Sequence, residues 1–161
     1  MAIRNIRVMG DRVLEKNCRP VEEMTPRLEE LIRDMLDTMY DKMGVGLAAP
    51  QVGILKRIVV IDVEDGHGPY VLINPQILET SGEQTGEEGC LSLPGKYGQV
   101  TRPNYVKAQA QGMDMKPFIL EGEGLLARAI CHECDHLDGK MFVSLVEGEL
   151  RDAGSDYEEE E

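Results

Sequence analysis

Cys131-His132-Glu133-Cys134-Asp135-His136 lies inside the stretch from Gly124 to Gly139, and its reading decides how the rest of the chain is placed. The stretch predicts a helix from about Gly124 to Asp138, ended by Gly139. On that helix His132 and His136 stand at i and i+4, so both imidazoles leave one face and can share a metal ion, with Glu133 beside them. Two of the three histidines in the chain fall at this spacing; the third, His67, sits alone in a Gly-rich turn. Cys131 and Cys134 form a competing Cys-x-x-Cys pair. At about 100° per residue, however, they point roughly 150° away from the mean histidine direction, so one ion cannot use both pairs. With Cys18 and Cys90 far off in sequence, no second close cysteine pair completes a zinc ribbon. Cys131 and Cys134 are therefore read as helix-packing thiols.

Upstream, Thr25-Pro26 offers a hydroxyl N-cap followed by proline at the first helical position. Leu28, Leu31, Ile32, Met35, Met39 and Met43 continue at helical spacing, and Gly44 is predicted to stop this N-terminal helix. Between the two helices, strands are predicted at 57–62, 70–74, 76–80, 105–111 and 116–120, with Asn74-Pro75 as a turn. Two helices separated by short strands with short connections indicate an α+β domain with antiparallel pairing.

The 161 residues fit one domain. With no Trp and two Phe, the core must be aliphatic, assisted by nine Met. The net charge of −13 argues against a nucleic-acid groove or an anionic membrane as partner. Eight acids and one Arg between Glu147 and Glu161 hold −7 of it. The expectation is thus a folded body over 1–146 and an acidic, disordered tail over 147–161. No apolar run is long enough for a membrane helix, and Met1-Ala2-Ile3-Arg4 does not open a signal peptide. The four cysteines are expected as thiols or ligands in a cytoplasmic protein.

Two histidines leave an ion short of a ligand. Cys90, in Glu87-Glu88-Gly89-Cys90-Leu91-Ser92-Leu93-Pro94-Gly95, is framed by Gly and Pro and can expose a thiolate, though a lone cysteine is more often simply buried. A third segment, Gly44-Val45-Gly46-Leu47-Ala48-Ala49-Pro50-Gln51, lacks the lysine of a phosphate loop. Its paired glycines admit close backbone approach, and Gln51 could offer an amide to an oxyanion.

In this order the three segments resemble the peptide deformylase family, marked by Gly-x-Gly-x-Ala-Ala-x-Gln, then Glu-Gly-Cys-Leu-Ser, then His-Glu-x-Asp-His. Here they stand at 44–51, 88–92 and 131–136, and the likeness covers about residues 3 to 146. The resemblance implies antiparallel sheets packed around a central C-terminal metal helix, and a catalytic domain over 1–146. It implies removal of formyl from the N-terminal formyl-methionine of nascent polypeptides. It makes Cys90, His132 and His136 the metal ligands and Glu133 the general acid/base; helix geometry alone leaves Glu133 and Asp135 equivalent. Gln51 and the Leu91 N–H would face the oxyanion. Val45, Gly46 and Gly89 would bind an extended peptide, and Leu125, Arg128 and Ala129 would line the methionine pocket. The implied ion is ferrous iron, with zinc, nickel or cobalt as alternatives, in a monomer working in transient proximity to the ribosome. Two other readings compete. A zinc peptidase acting on unformylated peptides needs neither Gln51 nor Cys90, and a non-catalytic metal module would depend on Cys131 and Cys134. An ion pair between Arg102 and Asp135, within about 4 Å, is expected behind the metal helix.

Overall fold

A computed structural model of the chain describes residues 2–152. Helix α1, Pro26–Asp41, starts as expected, with the Thr25 hydroxyl oxygen accepting from the Leu28 N–H at 3.2 Å. It buries Leu31, Ile32, Met35 and Met39 on one face. Its end differs from expectation: the left-handed residue is Met43, at φ 58°, not Gly44. The Gly44 N–H still closes on the Met39 carbonyl at 2.9 Å.

Strands β1 (Gly46–Ala48), β2 (Ile58–Ile61), β3 (Tyr70–Ser81), β6 (Tyr105–Gln111) and β7 (Pro117–Glu123) form an antiparallel sheet in the order β1-β2-β3-β6-β7. Helix α2, Leu125–Leu137, packs on one face and α1 on the other. This sandwiching explains why Ile58-Val59-Val60-Ile61 is apolar throughout. Val59 and Ile61 meet the α2 cluster while Ile58 and Val60 meet the α1 cluster, so no solvent face remains to be polar.

The remaining strands, β4 (Gln84–Cys90), β5 (Leu93–Arg102) and β8 (Glu147–Asp152), form a second antiparallel sheet in the order β4-β5-β8. The architecture is the expected α+β arrangement, with two helices and antiparallel sheets around the C-terminal helix. Two local expectations are corrected. Asn74-Pro75 is no turn; both predicted strands there belong to the single strand β3, interrupted by a bulge at which Asn74 takes φ 52°. Its side chain stabilises the irregularity by bonding both backbone groups of Val21 at 2.8 Å. The body also extends past Val146, because Glu147–Asp152 is β8, paired to β5 and linked by Arg151 to Glu87 and by Lys96 to Asp152. The rest of the expected tail, 153–161, lies outside the described residues.

The C-terminal end of α2 is fixed by Arg57, which donates to the Leu137 carbonyl at 3.2 Å and pairs with Asp138 at 2.8 Å. A cation here complements the helix dipole. Gly139, at φ 74°, allows the chain to leave, and a Cβ there would come within 2.5 Å of the Glu15 carbonyl oxygen. No helix among the described residues is long and apolar enough to cross a membrane.

All of β8 is exposed, so its contribution should come from edge pairing and surface ion pairs, about 1 kcal/mol in total. Truncation after Val146 should therefore lower the melting midpoint by about 3 °C relative to truncation after Asp152. Equal midpoints by calorimetry would show that the β5–β8 pairing contributes nothing.

Candidate metal centre

α2 carries His132, Glu133 and His136 into a cleft whose opposite wall is the end of β4. A register shift between Gly89 and Cys90 turns the Cys90 side chain toward the helix, and its Sγ lies 3.3 Å from His136 Nε2. One donor atom from each of Cys90, His132 and His136 falls within 4.8 Å of the others, a thiol and two imidazoles suited to one divalent ion. Among the described residues no other three His, Cys, Asp or Glu side chains meet this way.

The orientation of His132 follows from Glu88. Glu88 Oε1 sits 2.8 Å from His132 Nδ1. An ionised carboxylate only accepts, so Nδ1 carries the hydrogen and Nε2 is left to face the site. The same carboxylate accepts from Arg102 at 2.8 and 3.0 Å and from Arg128 at 2.6 Å. Burial alone would raise the Glu88 carboxyl, but hydrogen bonds from His132 and Arg102 outweigh it and bring the pKa down to about 2. Arg102 also pairs with Asp135 at 2.8 Å, the separation expected behind the metal helix.

Glu133 is 4% exposed, and its Oε1 has no protein partner. Its other oxygen rests against β1, where a Cβ on Gly46 would come within 2.5 Å of Oε2 and force the Glu133 carboxylate to move. Burial pushes the Glu133 carboxyl up to about 7. A buried carboxylate oxygen without a protein partner, Glu133 Oε1, suits a site that a cation and water complete.

A cavity of about 700 Å³ opens onto this cluster. Val45, Gly46 and Gly89 line it, as do Leu125 and Ala129 from the first turns of α2. Gln51 and Leu91 line it beside Cys90. Arg128 lines it too, but its guanidinium is engaged with Glu88, so it braces the wall rather than presenting a free cation. Ile6, Val8 and Tyr97 also line the cavity, and no periodic pattern in the sequence marks them. The only sequence signal for Glu88 and Ser92 is membership of the Glu-Gly-Cys-Leu-Ser segment. Cys131 and Cys134 point into the α2 core cluster, and burial pushes their thiols up to about 11 and 12. They are packing thiols, and the metal-module reading built on them fails.

A helix bearing two histidines and a carboxylate, faced by a cysteine across a substrate-sized cleft, defines a metal-dependent hydrolase. Residues 3–151 match the polypeptide deformylase family. A peptide deformylase of Lachnoclostridium phytofermentans is 65% identical, over 100% of this chain and 99% of that protein. The crystal structure of a peptide deformylase from Legionella pneumophila superposes with a TM-score of 0.87 at 47% identity, over 90% of this chain and 86% of that one. One from Synechococcus elongatus, in complex with actinonin, gives 0.86 at 46%, over 90% and 79%. The chain belongs to the peptide deformylase family, metal-dependent enzymes that remove formyl from the N-terminal formyl-methionine of polypeptides.

Glu88→Gln keeps the shape of the side chain but leaves the buried Arg128 guanidinium without its counter-charge and Arg102 with Asp135 alone. It should cost about 3 kcal/mol in urea unfolding and speed metal loss to a chelator. Unchanged stability together with unchanged metal loss would mean that the Glu88 cluster is not what holds His132.

Proposed function

We propose that Cys90, His132 and His136 hold one divalent ion, ferrous iron in the native enzyme, and that zinc, nickel or cobalt can replace it. The convergence of one thiol and two imidazoles beside a buried carboxylate carries this reading. When bound, the ion supplies a Lewis acid and lowers the pKa of water toward neutrality.

The protein's own groups account for the rest of the reaction. Glu133, buried and with a raised pKa, accepts a proton from the attacking water as its oxygen bonds to the formyl carbon. The Gln51 amide and the Leu91 N–H face the oxyanion that develops. As the C–N bond breaks, Glu133 returns the proton to the departing amine, and formate and a free N-terminus result. The main chain of Val45, Gly46 and Gly89 runs beside an extended substrate in strand-addition fashion. Leu125, Ala129 and the aliphatic stem of Arg128 enclose the methionine side chain.

The catalytic residues all fall within 1–146, and segment 147–161 takes no part in the chemistry. The substrate is the nascent polypeptide, met in transient proximity to the ribosome. A monomer in the cytoplasm, without direct nucleic-acid or membrane contact, suits the net charge of −13. The peptidase alternative is disfavoured because it leaves the convergence of Cys90 and Gln51 unexplained.

The test is formate release from formyl-Met peptides beside the same peptides without formyl. Turnover should require the formyl group. Glu133→Gln should lower kcat about 10²–10⁴-fold while keeping a full equivalent of metal. Cys90→Ser should instead lower metal content. A fully active Glu133→Gln enzyme, or undiminished metal affinity in Cys90→Ser, would refute the corresponding role.

A further inference from the structure

Gln51 is 1% exposed and Ser92 fully buried, and the two are joined by a hydrogen bond of 3.0 Å from Gln51 Nε2 to Ser92 Oγ. The orientation of the amide is fixed chemically. Its other terminal atom accepts from the Ala48 N–H at 2.9 Å, and since a backbone N–H can only donate, that atom must be Oε1. Nε2 therefore points across the cleft with two hydrogens. One goes to Ser92 Oγ and the other to Cys90 Sγ at 3.5 Å, on the side of the metal cluster. Without the Ser92 oxygen, only the Ala48 bond and the long bond to Cys90 Sγ would restrain rotation about the terminal torsion of Gln51, which is intrinsically broad.

The backbones of both residues are tied to one short segment of the N-terminal arm. The Arg7 N–H donates to the Gln51 carbonyl and the Met9 N–H to the Ser92 carbonyl, each at 2.7 Å. Two bonds spaced two residues apart on an extended arm span the two sides of the Gln51–Ser92 pair. This arm is a second tether on their separation, beside the chain connection of Ser92 to β4.

We infer that Ser92 is a positioning residue for the deformylation reaction. Its hydroxyl oxygen holds the Gln51 amide so that the second N–H, directed at Cys90 Sγ, stays on the metal side of the cleft, where the formyl oxygen gains charge, while the Arg7–Met9 arm helps to fix the distance between the two residues. This rests on the oxyanion role proposed for Gln51. It predicts an effect on the reacting state, where a preorganised donor counts most, rather than on substrate capture or metal retention.

The experiment is a double-mutant cycle in the full chain, supported by spectroscopy of the zinc-loaded protein. Gln51→Ala should lower kcat about 100-fold. Ser92→Ala should lower it about 10-fold with KM and metal content unchanged, and should add less than about 2-fold in the Gln51→Ala background. Ser92→Cys, which keeps the volume with a weaker acceptor, should fall between Ser92→Ala and wild type. In ¹⁵N–¹H spectra, the Gln51 side-chain amide, assigned by its absence in Gln51→Ala, should lose protection from solvent exchange in Ser92→Ala. An unchanged Gln51 amide signal, or equal kcat losses from Ser92→Ala in both backgrounds, would overturn the positioning role alone. An inert Gln51→Ala would overturn the oxyanion assignment, and this inference with it.

Discussion

A single buried carboxylate, that of Glu88, joins the two halves of the molecule. It stands on β4 and accepts hydrogen bonds from His132 on α2, from Arg102 on β5 and from Arg128 one turn before His132. Taking a carboxylate and two guanidiniums out of water is costly, and the arrangement persists because their charges and hydrogen-bonding atoms are mutually satisfied. The result is directional. One oxygen sets the tautomer of a metal-facing imidazole, while the other ties down both arginines. The hairpin that presents Cys90 is thus referenced to the helix that presents the histidines.

Function occupies the seam that this cluster closes. The five-stranded sheet supplies the rigid part, with α1 and α2 packed on its two faces. β1, at the edge of that sheet, brings Gly46 against Glu133, and the turn after it carries Gln51. The second sheet supplies Glu88 and Cys90, and its β4–β5 turn supplies Ser92. No element alone contains a complete reaction centre, and the contacts that assemble it are nearly all long-range in sequence.

That distribution explains what the sequence revealed. Both helices were legible because caps and periodicity are local signals, as at Thr25-Pro26 and Gly139. β6 was legible from the alternation of Val106, Ala108 and Ala110. β4 and β5 were not: Gln84-Thr85-Gly86-Glu87-Glu88-Gly89-Cys90 has no apolar alternation, since its inward side faces a polar cluster instead of a core. β8 has the composition of a solvated tail, and its pairing depends on an edge that only the folded β5 provides. Among site residues, the His-Glu-x-x-x-His spacing was readable because one helix face holds it. Asp135 could be matched to Arg102 because it flanks that face. Glu88 looked like one more acid in an acidic stretch; its role arises from partners 14, 40 and 44 residues away.

The claim that Glu88 sets the metal-facing atom of His132 is tested most directly by histidine ¹⁵N spectra of the zinc-loaded protein. Two-bond nitrogen–proton couplings identify which ring nitrogen carries hydrogen and which bonds the ion. The account predicts that His132 holds its hydrogen on Nδ1, in a hydrogen-bonded and slowly exchanging state, with Nε2 on the metal. A His132 protonated on Nε2, or bound to the ion through Nδ1, would contradict it.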